Sequence, residues 1–208
     1  MIQSDKFDSS NMDIKKLANS VLIFIIRRLI EIFGIFLSIL GILLLISLIS
    51  YSPEDPNFIF PENTQIKNLL GFHGSYTSDL FFQSIGLISF LVSITFIFTG
   101  INILKKKEIF LVIENTFYVI IYSLIGSLFL DYFYIDAFSL YINGNGGFVG
   151  KYLSQSFLRD LIGTNENISY YLFILILLAL FLKSINFNIK IFFHNIKKIF
   201  SFLINKNE

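Results

Sequence analysis

The sequence has no cysteine and no tryptophan, only three prolines and two histidines, and 15% charged residues over its 208 positions. Without cysteine there are no disulfides and no thiolate metal sites. In the four-span arrangement read from the sequence below, His73 and His194 fall on opposite sides of the membrane and are expected to make no shared site. No Ser/His/Asp set, paired-carboxylate arrangement or metal-ligand cluster converges, and the sequence predicts neither an enzyme nor a cofactor. A phosphate-binding loop of the form G-x-x-x-x-G-K-[ST] is also missing. "GNGGFVGK" at 144–151 imitates one, but Tyr152 stands where Ser or Thr is required. The shortage of charge is the most informative lack. A soluble domain carries about a quarter charged residues, and this chain has too little polar surface to cover a globule in water. Missing tryptophan, set beside abundant Ile, Phe, Asn and Lys, reads as compositional bias without functional weight.

What is present is apolar: 54% of residues are hydrophobic and 26 are Phe. The charges cluster between long silent runs, the signature of a polytopic membrane protein. Residues 1–16 are polar and mixed in charge and read as a mobile tail. From Leu17 the pattern turns helical, with Arg27, Arg28 and Glu31 at the membrane surface and the uncharged run Ile32–Ile49 behind them. About 20 residues span a hydrocarbon core, so the first crossing is placed at about 30–50. Leu80–Leu104 is uncharged and ends on "KKKE" at 105–108, a hairpin too short to cross back. Ile109–Leu130 returns. Ile168–Leu182 gives a fourth run, with Lys183 able to snorkel and Ile185–Ile189 able to prolong the helix to about 187. The expectation is an all-α, four-span domain over 17–190 (spans about 30–50, 80–104, 109–130 and 168–187), with short amphipathic interfacial helices. A segment at 188–208 follows, with apolar residues at i, i+4, i+7 spacing. It reads as an amphipathic helix on the inner leaflet, or as one packing on a domain beyond the chain's end.

Orientation follows from Lys and Arg. The N-terminus, the 105–108 hairpin and the C-terminus hold 13 of the 16, and loops 51–79 and 131–169 hold only Lys67, Lys151 and Arg159. The cation-rich side is expected to be cytoplasmic, with both termini inside. Eight of ten tyrosines lie in or beside the two opposite loops, where amphipathic rings prefer the interface. The first apolar stretch is too long for a cleaved signal and reads as a retained signal anchor.

The loops carry the specific patterns. "SYSPEDPNF" at 50–58 ends the first span, because Pro53 and Pro56 deny helix hydrogen bonds. In "IKNLLGFHGSYTSDLFF", Gly71 and Gly74 suit a tight turn and Asp79 reads as the mouth of the second span, favoured at a helix N-terminus. "GFVGKYLSQSFLRDLIG" at 147–163 reads as an amphipathic helix on the outer leaflet. Glu114 is the one carboxylate inside a span. It is a functional candidate by default, yet it lies about two turns from the hairpin lysines and reads as a polar contact in the bundle. It shares a helical face with Tyr118 and Tyr122. The small pairs Gly34/Ser38, Ser89/Ser93 and Ser123/Ser127 would let helices approach closely.

Taken in order, these patterns resemble the N-terminal four-helix membrane domain of the FtsK/SpoIIIE DNA translocases, over residues 30 to about 190. Ser50, Tyr51, Pro53, Asp55 and Pro56 match the stretch that ends that family's first helix. Asn68, Gly71, Gly74 and Asp79 match its Asn-x-x-Gly-x-x-Gly-Ala stretch and following Asp, with Ser75 where Ala is usual. Gly146, Gly147 and Gly150 match a Gly-Gly-x-x-Gly run. The resemblance implies a bacterial inner-membrane anchor at the division septum, acting in division and chromosome segregation. Its implied partners are the lipid bilayer, other copies of itself and division-site membrane proteins, with DNA and ATP engaged only through a motor domain these residues do not contain. A fragment, a split gene and a motor-less stand-alone protein all remain open. The alternative from a different class is a small transporter or channel component unrelated to division, which would need polar groups converging at mid-membrane.

Overall fold

The computed structural model describes residues 2–56, 65–135 and 143–188, together with 190, 192, 197 and 198, with side chains from residue 16 onward. Among the described residues seven α-helices follow one another up to residue 184: α1 (Ile2–Ile49), α2 (Gly71–Ile85), α3 (Ser89–Lys106), α4 (Phe110–Phe133), α5 (Gly147–Ser154), α6 (Leu158–Gly163) and α7 (Glu166–Ser184), with a 3-10 turn over Gly86–Ile88. Four stretches are long and apolar enough to cross a bilayer: 16–49, 71–106, 110–133 and 166–184. We call the side bearing the Lys107 turn the hairpin face, and the side bearing residues 50–56, 65–70, 134–135 and 143–165 the loop face.

The distribution of polarity identifies the solvent. Large apolar side chains point outward, among them Ile32, Phe36, Phe110, Phe117, Leu175 and Leu178. Small polar ones fill the interior: Ser78, Ser89, Ser93, Ser127 and Ser184 are fully buried, and Ser47, Thr95 and Asn115 nearly so. Water would demand the reverse; hydrocarbon accepts an oily exterior, while buried polar groups pair with one another.

α1 packs along α3 by close backbone approach. A Cβ on Gly34 would stand 2.9 Å from Gly100 O, and one on Gly41 would stand 2.7 Å from Ile97 N. Ser38, between them, donates to Ile97 O at 3.2 Å. The Gly34/Ser38 pair read from the sequence is therefore an interface. A Cβ at Gly100 would lie 2.7 Å from Ser38 N and overlap Ser38 Oγ. Gly100→Leu is expected to force these helices apart and cost about 3 kcal/mol. Because the chain has no cysteine, engineered cysteines at Ser38 and Ile97 report the separation as lost cross-linking. At the hairpin face, Glu31 accepts from Arg28 at 2.5 Å and pairs with Lys107 at 2.7 Å, tying the turn to α1.

Several expectations change. α1 begins at Ile2, so helix occupies the positions that read as a polar tail. The second crossing is not one helix over 80–104. Helix starts at Gly71 and the α-helix breaks at Gly86, whose φ of 64° and ψ of −147° lie outside α-helical geometry. Both halves of α2 lie against the end of α1: Ser47 donates to Gly74 O at 2.5 Å, and Phe82 packs on Leu44 and Leu48. α3, 18 residues or about 27 Å long, is the longer helical part of the 71–106 stretch. The fourth helix stops at Ser184 and does not run on through residues 185–188, and Ile189 lies outside the described residues. Asn186 is left-handed (φ 51°), with Asn186 N donating to Lys183 O and Phe187 N to Leu182 O, a Schellman closure. The 147–163 segment is two short helices; α5 buries Gly147, Gly150 and Ser154 against the bundle and leaves Phe148 and Tyr152 exposed on its other side. Of the amphipathic segment 188–208, only Asn188, Lys190, Phe192, Lys197 and Lys198 are described, and His194 lies outside the described residues.

Candidate functional site: a polar clasp at the loop face

Helix α1 ends where Ser50 N and its hydroxyl both reach back to Ile46 O. The chain then turns at Pro53, closed by Asp55 N donating to Ser52 O at 3.2 Å. Proline presets the backbone angle that the second residue of such a turn needs. The turn drives Asp55 inward until it is 1% exposed. There its carboxylate accepts from Lys67 N and Asn68 N, both at 2.8 Å. Two backbone amides on two carboxylate oxygens are charge-assisted bonds, about twice the strength of neutral ones, and they lock residue 55 to residues 67–68.

Asn68 is the centre. Its Nδ2 donates to Ser47 O at 2.9 Å and to Ser50 O at 3.3 Å, closing the last turn of α1. Its Oδ1 accepts from Leu70 N at 3.1 Å, and its own carbonyl accepts from Gly71 N at 2.9 Å. Carbonyls at a helix C-terminus have no partner within the helix; here a side chain from the next segment supplies one. Gly71 and Gly74 then serve different needs. Gly71 has φ 64° and open space around it, whereas Gly74 is helical and a Cβ there would overlap Asn68 Oδ1. The sequence assigned both to a turn; only Gly71 turns, and Gly74 provides room. Gly71→Ala is expected to cost about 1 kcal/mol and Gly74→Ala at least twice that, readable as separate shifts in thermal unfolding in detergent.

Asp79 is not at a helix mouth. It is the ninth residue of α2, buried, accepting from Tyr51 hydroxyl at 3.2 Å and Gln83 Nε2 at 3.4 Å. Burial, reinforced by the Asp79 charge, holds the Tyr51 hydroxyl well above its ordinary titration range, so it remains a donor. Ser75, where the family usually has Ala, donates to Pro56 O at 2.8 Å. Ser50, Tyr51, Pro53, Asp55, Pro56, Asn68, Gly71, Gly74 and Asp79 thus form one hydrogen-bonded clasp.

Gly146, Gly147 and Gly150 form a second junction. Gly146 and Gly150 press against Ser127 O of α4, and a Cβ on Gly147 would stand 2.6 Å from Gly86 N. Leu87 N donates to Asn145 O at 3.0 Å, and Ser127 Oγ to Ile85 O at 3.0 Å. Asn145 donates to Tyr134 O, and Ser154 to the Asp131 carboxylate. Sequence reasoning missed Gly86, Asn145 and Asp131 here.

Glu114 stands apart from both. It is exposed near the start of α4, and the buried polar side chain of that turn is Asn115. Asn115 Nδ2 donates to Thr99 Oγ1 at 2.8 Å and to Asn186 Oδ1 at 3.3 Å, and Asn102 also reaches Asn186. Thr95, Tyr122 and Ser184 form a further buried set at 2.9–3.0 Å. These bonds stitch α3, α4 and α7 together. Polar residues within spans were the available signal, but the carboxylate drew attention from the amides. Among the described residues no His, Asp or Glu cluster could hold a metal ion.

Taken together, these features define the class: a multi-pass helical membrane domain whose loop face is closed by a polar clasp and a glycine junction. The family model "4TM region of DNA translocase FtsK/SpoIIIE" matches residues 26–197, and the chain belongs to that family. It is similar to the DNA translocase FtsK of Rickettsia bellii (strain RML369-C), 32% identical over 74 residues, and to that of Azospirillum brasilense, 30% identical over 88. These alignments take in 36% and 41% of this chain but 10% and 14% of the relatives, so the chain spans a small part of their length. No solved structure matches it.

Proposed function

We propose that this domain is the membrane anchor of an FtsK-like translocase, acting in division and chromosome segregation. It keeps both ends in the cytoplasm, gathers at the septum, associates with further copies of itself and contacts division-site membrane proteins. ATP and DNA are engaged by a motor outside these residues. The observation that carries this reading is the family match over 26–197 together with the convergence of the motif residues into one clasp. A clasp that shapes loops without offering reactive groups suits docking instead of chemistry.

The broken second crossing is the feature a transporter reading would use. The break lies about 27 Å from the hairpin face, the length of α3, and so near the loop face, away from the midplane where such sites sit. A fluorescent fusion is expected to concentrate at constriction sites, and tags at Met1 and Glu208 are expected to report the cytoplasm. Uniform membrane fluorescence in constricting cells would reject the septal role, and tags on opposite sides would reject the anchor itself.

A further inference from the structure

A groove of about 790 Å³ opens between α4 and α7 at the hairpin face. Its wall is Leu175, Leu178 and Leu182, and its mouth carries Glu114, Lys183 and Lys190. We propose that it holds a phospholipid with a primary-ammonium headgroup, such as phosphatidylethanolamine, in the leaflet at the hairpin face.

Three observations point to this occupant. The groove has the dimension of a leaflet: Leu175 lies eight residues, or about 12 Å, from Lys183 along α7, close to half of the roughly 30 Å hydrocarbon core. A soluble ligand would have no use for a wall of leucines open sideways to lipid. α7 offers that wall freely, with Leu175 66% and Leu178 57% exposed. The third observation is the charge pattern. Among the described residues, Glu114, Lys183 and Lys190 stand in no ion pair with one another or with any other residue. A carboxylate at the edge of a span is costly unless a cation meets it. A phosphate between the two lysines and an ammonium on the carboxylate would satisfy all three with one zwitterion. An anionic glycerol headgroup would satisfy the lysines and leave Glu114 bare, and a choline headgroup brings charge but no N–H donor. Beneath the mouth, Asn186 lines the groove and is fixed by Asn102 and Asn115, so the site's floor is preorganised.

The test is native mass spectrometry of the full 208-residue chain in detergent, titrated with phosphatidylethanolamine, its mono- and dimethyl derivatives, phosphatidylcholine and phosphatidylglycerol. Affinity is expected to fall stepwise with N-methylation, by about tenfold from ethanolamine to choline, the scale of one charge-assisted hydrogen bond. Glu114→Gln is expected to erase that difference while leaving phosphatidylglycerol binding unchanged or stronger. Lys183→Gln with Lys190→Gln is expected to weaken every lipid. Stronger binding of phosphatidylglycerol than of phosphatidylethanolamine by the unaltered chain, equal binding of all headgroups, or an unchanged ethanolamine preference in Glu114→Gln would overturn the proposal. The methylation series needs no mutant, so it stands even if a variant fails to fold.

Discussion

Replacing Gly86 by alanine is expected to be the most damaging single methyl addition in the chain. Two costs add. Gly86 holds φ at 64° and ψ at −147°, a conformation essentially reserved for glycine, worth about 1–3 kcal/mol to any other residue. The new Cβ would also stand 2.5 Å from Asn145 C and 2.8 Å from Gly146 C, and would overlap Asn145 O. These are backbone atoms, so no rotamer change can relieve them. Asn145 O is moreover the acceptor of Leu87 N, which starts the path into α3. Together we expect a loss of about 4 kcal/mol. It would be measured as a drop in thermal unfolding temperature in detergent and as faster proteolysis of the 134–165 connection. Gly144 gives the control: its φ is also positive, at 73°, but nothing lies within 4 Å of a Cβ there. Gly144→Ala should therefore show the conformational cost alone. Equal effects at the two positions would mean that Asn145 and Gly146 do not bear on Gly86.

The comparison explains what the sequence could reveal. Spans were legible because hydrocarbon imposes a length and a silence on charge: Ile32–Ile49 falls within the apolar stretch 16–49 and shares its end, and Ile109–Leu130 nearly coincides with 110–133. The start of α2 was not legible, because Asp79 was read as the mouth of the second span, where a helix N-terminus favours a carboxylate. Tyr51 and Gln83 meet that carboxylate, and they come from a different part of the pattern. Gly86 was invisible for another reason: in "FFQSIGLISF" it is a glycine among apolar residues, as in many ordinary membrane helices. Its meaning comes from Asn145, 59 positions away, and no local period encodes that distance. The clasp is an intermediate case. Every principal member could be named from the loops, but the sequence could not show that Asn68 closes the end of α1 while Asp55 holds Asn68.

That hierarchy leads to the second large effect. Asn68→Ala is expected to cost about 3–4 kcal/mol, because several buried or half-buried groups lose partners at once. Ser47 O and Ser50 O lose the Nδ2 donor, and Leu70 N loses the Oδ1 acceptor. Asn68→Asp separates donor from acceptor. It is nearly isosteric and keeps Oδ1 for Leu70 N, but it turns the donor into an oxygen facing two carbonyls. If donation to α1 is what matters, aspartate should be no better than alanine at neutral pH, and it should recover part of the loss when acidified enough to protonate and donate again. Asp55→Asn makes the reciprocal test, since one of its two backbone amides would then face an NH2 group. In the double variant Asn68→Ala with Asp55→Asn, the losses should fall short of their sum by more than about 1 kcal/mol, because one connected set of bonds cannot be broken twice. Strict additivity would show that residues 55 and 68 act separately, and the clasp would then be two unrelated contacts at the same end of the bundle.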